Sequence, residues 1–102
     1  MVVIQGTTPK HNFKIPFDVS LVDDVKIIYK QGEEILLEKR KADCTMENMT
    51  ISTKLTQEDT FKFKVGKVLK IQLRVLTTTK DSLVSQIFPL PVYKCLDSEV
   101  LT

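Results

Sequence analysis

From Val68 to Leu76 the chain alternates strictly, with Leu69, Ile71, Leu73 and Val75 set against Lys70, Gln72 and Arg74. A period of two sends successive side chains to opposite faces of a pleated strand, so the pattern demands a half-buried strand and is incompatible with an amphipathic helix. The same period runs through Met49, Ile51, Thr53 and Leu55, with Thr50, Ser52 and Lys54 on the other face. No stretch holds a helical apolar period over the three turns that a stable surface helix needs. The fold class that follows is all-β.

The remaining segments fit that class. Val25, Ile27 and Tyr29 alternate with Lys26 and Lys30, and Gln31-Gly32-Glu33 offers a short Gly-containing connection to the extended run Glu34 to Arg40, so the two read as a hairpin. Ala42 to Asn48 carries turn-forming residues ahead of the Met49 strand. Thr56-Gln57-Glu58-Asp59 places a hydroxyl and a carboxylate at the spacing of a helix cap, which predicts a single short turn leading into Phe61-Lys62-Phe63. Thr77 to Asp81 supplies a polar turn, and Ser82 to Phe88 returns as a strand that meets Pro89 and Pro91. Proline has no N–H for a ladder, so the stretch through Val92 and Tyr93 is expected to be an edge strand, a bulge or a strand switch. At the front, Val2 to Gln5 and Asn12 to Phe17 read as extended pieces, and Val19 to Val22 as a loop or one helical turn.

About seven strands with frequent turns predict an immunoglobulin-like β-sandwich, a small β-barrel being the alternative. Without a linker, repeat or low-complexity tract, residues 1–102 form one all-β domain, long enough to bury roughly 60% or more of the unfolded chain's surface. The expected core comprises Val25, Ile27, Tyr29, Met49, Ile51, Leu55, Phe61, Phe63, Leu69, Ile71, Leu73 and Val75. Tyr93-Lys94-Cys95 has the Tyr-x-Cys spacing of the tyrosine corner, but the chain has no Trp, and Cys95 lies close to its end. Cys44 and Cys95 are therefore expected as free thiols, and the Asn48-Met49-Thr50 sequon as accidental.

Chemistry is sparse. Fifteen basic and 13 acidic residues are interspersed, giving a net charge of +2 with no face committed to a polyanion. The densest basic stretch, Lys62 to Lys70, alternates with Phe61, Phe63, Val65 and Leu69 as an exposed strand face would, which points away from nucleic acid. No apolar run approaches the ~20 residues that span a bilayer, and the N-terminus lacks the pattern of a secretory signal, so no membrane role and cytoplasmic synthesis are expected. His11 is the lone histidine; between Lys10 and Asn12 it is expected at the surface. Asp23-Asp24, Glu33-Glu34 and Glu58-Asp59 fall at turns or strand ends and are expected as solvated loop charge. Three glycines, Gly6, Gly32 and Gly66, build neither a phosphate loop nor a dinucleotide fingerprint. No catalytic, cofactor-binding or metal-ligating residue is assigned, no cofactor is expected, and the chain reads as non-enzymatic. Lys26, Lys30, Lys62, Lys64 and Lys70 are expected outward, discouraging edge-to-edge pairing of sheets.

Ile4-Gln5-Gly6-Thr7-Thr8-Pro9, Phe13-Lys14-Ile15-Pro16-Phe17-Asp18, Ile28-Tyr29, Leu55 to Thr60 and Ile71 to Leu76 together resemble a group of small uncharacterised proteins encoded by prophages of Firmicutes and Clostridia. The resemblance covers nearly the whole chain and brings no catalytic motif. It implies a phage structural or assembly protein of the virion tail, neck or baseplate that acts through protein–protein contacts, with other phage structural proteins or further copies of itself as partners. The locations it implies are the host cytoplasm during synthesis and then the virion. Two other classes remain open at this point: a carbohydrate- or host-surface-binding module, for which Tyr29 and Tyr93 would be the available aromatics, and a small nucleic-acid-binding regulator. The half-apolar segment Leu96 to Thr102 is expected to pack either on its own domain or on a neighbour.

Overall fold

The computed structural model describes residues 2–102. Its elements are β1 (Val3–Ile4), β2 (Lys10–Lys14), a 3-10 turn (Val19–Leu21), β3 (Val22–Gln31), β4 (Glu34–Arg40), a second 3-10 turn (Lys41–Asp43), β5 (Cys44–Glu47), β6 (Thr50–Lys54), α1 (Gln57–Phe61), β7 (Leu69–Thr77), β8 (Ser82–Val84), β9 (Phe88–Leu90) and β10 (Val92–Tyr93).

The alternating segments form the centre. β3 and β7 pair antiparallel, with Val25 opposite Val75, Ile27 opposite Leu73 and Tyr29 opposite Ile71. Their side chains on one face, Val25, Ile27, Tyr29, Leu69, Ile71, Leu73 and Val75, are all buried. β4 flanks β3 through the two-residue turn Gly32-Glu33, where Gly32 adopts φ +58. β8 and β9 both pair with the opposite side of β7, completing one sheet. A second sheet, ordered β2-β6-β5, contributes Phe13 and Ile51 to the same core. β1 and β10 make a short parallel pair that closes one end with Val3 and Val92. Among the described residues ten strands fall into three sheets, none closed, so the molecule is an all-β sandwich and not a barrel.

The short helix is where the capping signal placed it. Thr56 Oγ1 accepts the Asp59 N–H at 3.1 Å, and Asp59 Oδ2 accepts the Thr56 N–H at 2.9 Å, a reciprocal box that satisfies two orphan donors. Thr60, fully buried, accepts the Gly6 N–H at 2.9 Å, and its hydroxyl lies 2.9 Å from the Thr7 carbonyl, which straps the N-terminal segment over the helix. The prolines act as expected: β9 ends on β7, and after Pro91 the chain switches to pair with β1.

Several expectations are corrected. The alternating Lys62 to Val68 stretch is a looped turn and not a strand; the Gln31 amide pins it, donating to Lys64 and Lys67 carbonyls at 2.8 and 3.0 Å and accepting the Lys64 N–H at 2.7 Å. The stretch read as a turn before Met49 contains β5, which pairs with β6 through a tighter turn at Asn48, φ 54. Met49 therefore sits on that turn, 46% exposed, and is not core; Phe61 is only half-buried at the helix end. The strand expected from Ser82 to Phe88 breaks into β8 and β9. Ser85 Oγ accepts the Leu73 N–H at 2.9 Å in place of a backbone carbonyl, and Gln86 and Ile87 leave the ladder. Val3, Phe13, Ile15, Val22, Leu90 and Val92 complete the core beyond the expected set.

Candidate functional site

Where the two main sheets diverge, β2 of one faces the β7–β9 side of the other across an open seam. The seam is a cleft of about 520 Å3, walled by Phe13, Ile71, Leu73, Phe88 and Leu90, with His11 and Ser85 also reaching it. Its apolar walls come from chain positions far apart. Phe13 and Phe88 meet edge to face at 5.9 Å between ring centroids and hold the two walls together at one point.

Among the described residues β2 is an edge strand, paired with β6 alone. The ladder continues past both of its ends, the Ile15 N–H donating to Met49 at 2.9 Å and the Leu55 N–H to Pro9 at 2.9 Å. In an antiparallel ladder this phase directs the backbone groups of His11 and Phe13 toward β6 and those of Lys10, Asn12 and Lys14 away from it. Those three residues thus present three N–H and three C=O groups along the seam, with no partner among the described residues. Their side chains are exposed, whereas His11 and Phe13 point inward.

His11 is a correction to the sequence reading. It is 8% exposed, its Nδ1 lies 2.7 Å from Tyr29 Oη, and the two rings stack at 5.7 Å. Tyr29 stacks in turn on Phe63 at 5.7 Å. Burial pushes the His11 imidazole below its ordinary range, so the neutral ring is the resident form. Burial, with Cys44 and Asp59 nearby, raises the Tyr29 phenol well above its ordinary value. A neutral imidazole bonded to a neutral phenol satisfies both buried polar groups and braces the floor of the seam.

Of the acidic pairs, Asp23-Asp24 and Glu33-Glu34 are exposed as expected, but Asp59 is buried. Burial alone would raise its carboxyl; the Thr56 N–H and the Lys39 ammonium, 2.9 Å away, reverse that and hold it below the usual carboxylate range. Cys44 and Cys95 are free, half-buried thiols. Tyr29, packed between His11 and Phe63, presents no face to solvent, while Tyr93 is exposed. Among the described residues no helix is long and apolar enough to cross a membrane.

The lysines singled out as edge guards lie elsewhere. Lys26 and Lys30 are on β3 and Lys70 on β7, both interior strands, and Lys62 and Lys64 are in the 62–68 loop. The edge lysines of the seam are Lys10 and Lys14. The alternation Lys10-His11-Asn12-Phe13-Lys14 carries the signal for them, since counting back by two from Phe13 turns His11 inward and both lysines outward. Comparison with protein-family models, with curated proteins and with solved structures found no match.

Proposed function

We propose that this chain is a non-enzymatic structural or assembly protein of a phage or prophage particle, an immunoglobulin-like module that receives an extended segment of another protein in the seam beside β2. The observation that carries the reading is the coincidence of an unpaired strand edge with an apolar cleft along its inner side. Strand addition needs both: the backbone groups give affinity, and pockets for alternate side chains give specificity. An occupant would extend the β2-β6-β5 sheet and seat every second side chain against Phe13, Leu73 and Phe88. The phage setting is what the resemblance to prophage-encoded proteins, over nearly the whole chain, implies, and particle assembly depends on many such contacts.

The test is proteomics of particles released from the lysogen that carries this gene, with lysine-directed cross-linking before digestion. The expected result is the protein in particles or assembly intermediates, cross-linked through Lys10 or Lys14. Its absence from both overturns the assignment.

A further inference from the structure

We infer that the segment seated in the seam is residues 96–100 of a second copy of this chain, so that copies join by handing a C-terminal strand from one to the next. The inference rests on the seam being a strand-acceptor site and names the donor.

Charge selects the donor. Along the free edge of β2 the outward side chains are Lys10, Asn12 and Lys14, and the inward ones are His11 and Phe13. A matching strand must carry acidic residues on the face that meets Lys10, Asn12 and Lys14 and small or apolar residues on the other. Leu96-Asp97-Ser98-Glu99-Val100 has that pattern: Asp97 and Glu99 share a face, and Leu96, Ser98 and Val100 share the opposite one. With one acidic residue opposite Asn12, the other falls opposite a lysine. Leu96 and Val100 then turn toward the cleft walls of Phe13, Leu73 and Phe88. Two β2 edges meeting each other would set lysine against lysine, so the same charges disfavour edge-to-edge pairing.

The donor is also available. Residues 94–102 lie outside every sheet, and Leu96 is fully exposed. The segment lies against α1 with Val100 half-buried and two hydrogen bonds from one side chain: Gln57 Nε2 donates to the Leu101 carbonyl at 2.8 Å, and Gln57 Oε1 accepts the Leu101 N–H at 2.9 Å. Release gives up those two hydrogen bonds and the partial burial of Val100, and extending the segment also breaks the Glu99 N–H to Asp97 Oδ1 bond at 3.1 Å. Insertion satisfies four of the six unpartnered backbone groups of β2, those of Asn12 and of the lysine opposite the second acidic residue, and covers an exposed leucine. Because acceptor and donor are different parts of the surface, the contact is head-to-tail, and repetition closes a ring or extends a filament unless two copies exchange tails reciprocally.

Sedimentation velocity on the full chain across a concentration series tests this with two charge-reversed proteins, K10E/K14E and D97K/E99K. The native chain is expected to gain mass with concentration. Each variant alone sets like charge against like and is expected to assemble about tenfold or more weakly. Mixing the two variants restores opposite charges at both contacts and is expected to recover assembly. Circular dichroism melts matching the native chain show that the variants fold. A native chain that stays monomeric throughout, or variants that assemble as well as it does, overturns the inference. If K10E/K14E abolishes assembly and D97K/E99K does not, this donor is excluded while the seam remains an acceptor. Absence of the protein from particles bears on the proposed function alone.

Discussion

Gly6 shows how little room the N-terminal strap has. Its φ of +83 lies in the left-handed region, and a Cβ built there would come within 2.8 Å of the Phe61 ring. Gly6→Ala therefore meets backbone strain and a steric clash together, and thermal or urea unfolding is expected to show a loss of about 1–3 kcal/mol. Substitution of Gly32, which has the same sign of φ but open space around it, lacks the second component. His11 makes a prediction about pH. Its folded value lies below the ordinary 6.5, so the unfolded chain binds the extra proton first. The contribution of the neutral His11–Tyr29 pair is complete above about pH 6.5 and is lost as pH falls through that value toward the lower folded one, with a slope of at most about 1.4 kcal/mol per pH unit. Urea titrations at a series of pH values are expected to show this slope in the native chain and its absence in His11→Gln. An unchanged slope in the variant would assign the effect to other groups. Asp59 acts at lower pH: its depressed carboxyl contributes stability above its ordinary 3.8 that is lost on further acidification.

At the scale of elements, the 62–68 loop is anchored by the buried Phe63 ring, by the Gln5 amide at the Phe63 carbonyl and by three hydrogen bonds of the buried Gln31 amide. Gln31→Ala leaves the Lys64 and Lys67 carbonyls and the Lys64 N–H without their partners, at a cost of about 1–3 kcal/mol. Limited trypsin digestion is expected to cut faster after Lys62, Lys64 or Lys67 in that variant, and equal rates would mean that Gln31 does not hold the loop. The same loop marks where sequence pattern loses its force. Its alternation of lysine with Phe63 and Val65 has the period of a strand, yet the backbone is captured by a side chain 33 residues away and never enters a ladder. β7 was legible because its nine residues alternate without a break, and β3 because Val25, Ile27 and Tyr29 do so through its central part; the Asp23-Asp24 irregularity at its start was not legible. Strands of two or three residues, β1, β8, β9 and β10, carry no such weight and exist because a partner is in place. The Thr56–Asp59 cap was legible because its hydrogen bonds are local. The seam was not, because β2 and Phe88 are separated by most of the chain, and only the folded sheets bring them to one cleft.

For the whole molecule, the two main sheets share one core but close it on only one side. On the other side β2 keeps an unpaired edge next to apolar walls, and charge on that edge distinguishes strands that can add from those that cannot. Amide hydrogen exchange followed by NMR tests this asymmetry most directly, because antiparallel pairing on one side alone protects alternate residues. In dilute protein the amides of His11, Phe13 and Ile15 are expected to exchange slowly and those of Lys10, Asn12 and Lys14 fast. On assembly the amides of Asn12 and of the lysine opposite the second acidic residue are expected to become protected as well. Equal protection of all six in the dilute protein, or assembly that leaves Lys10, Asn12 and Lys14 exchanging fast, would contradict a strand-accepting seam.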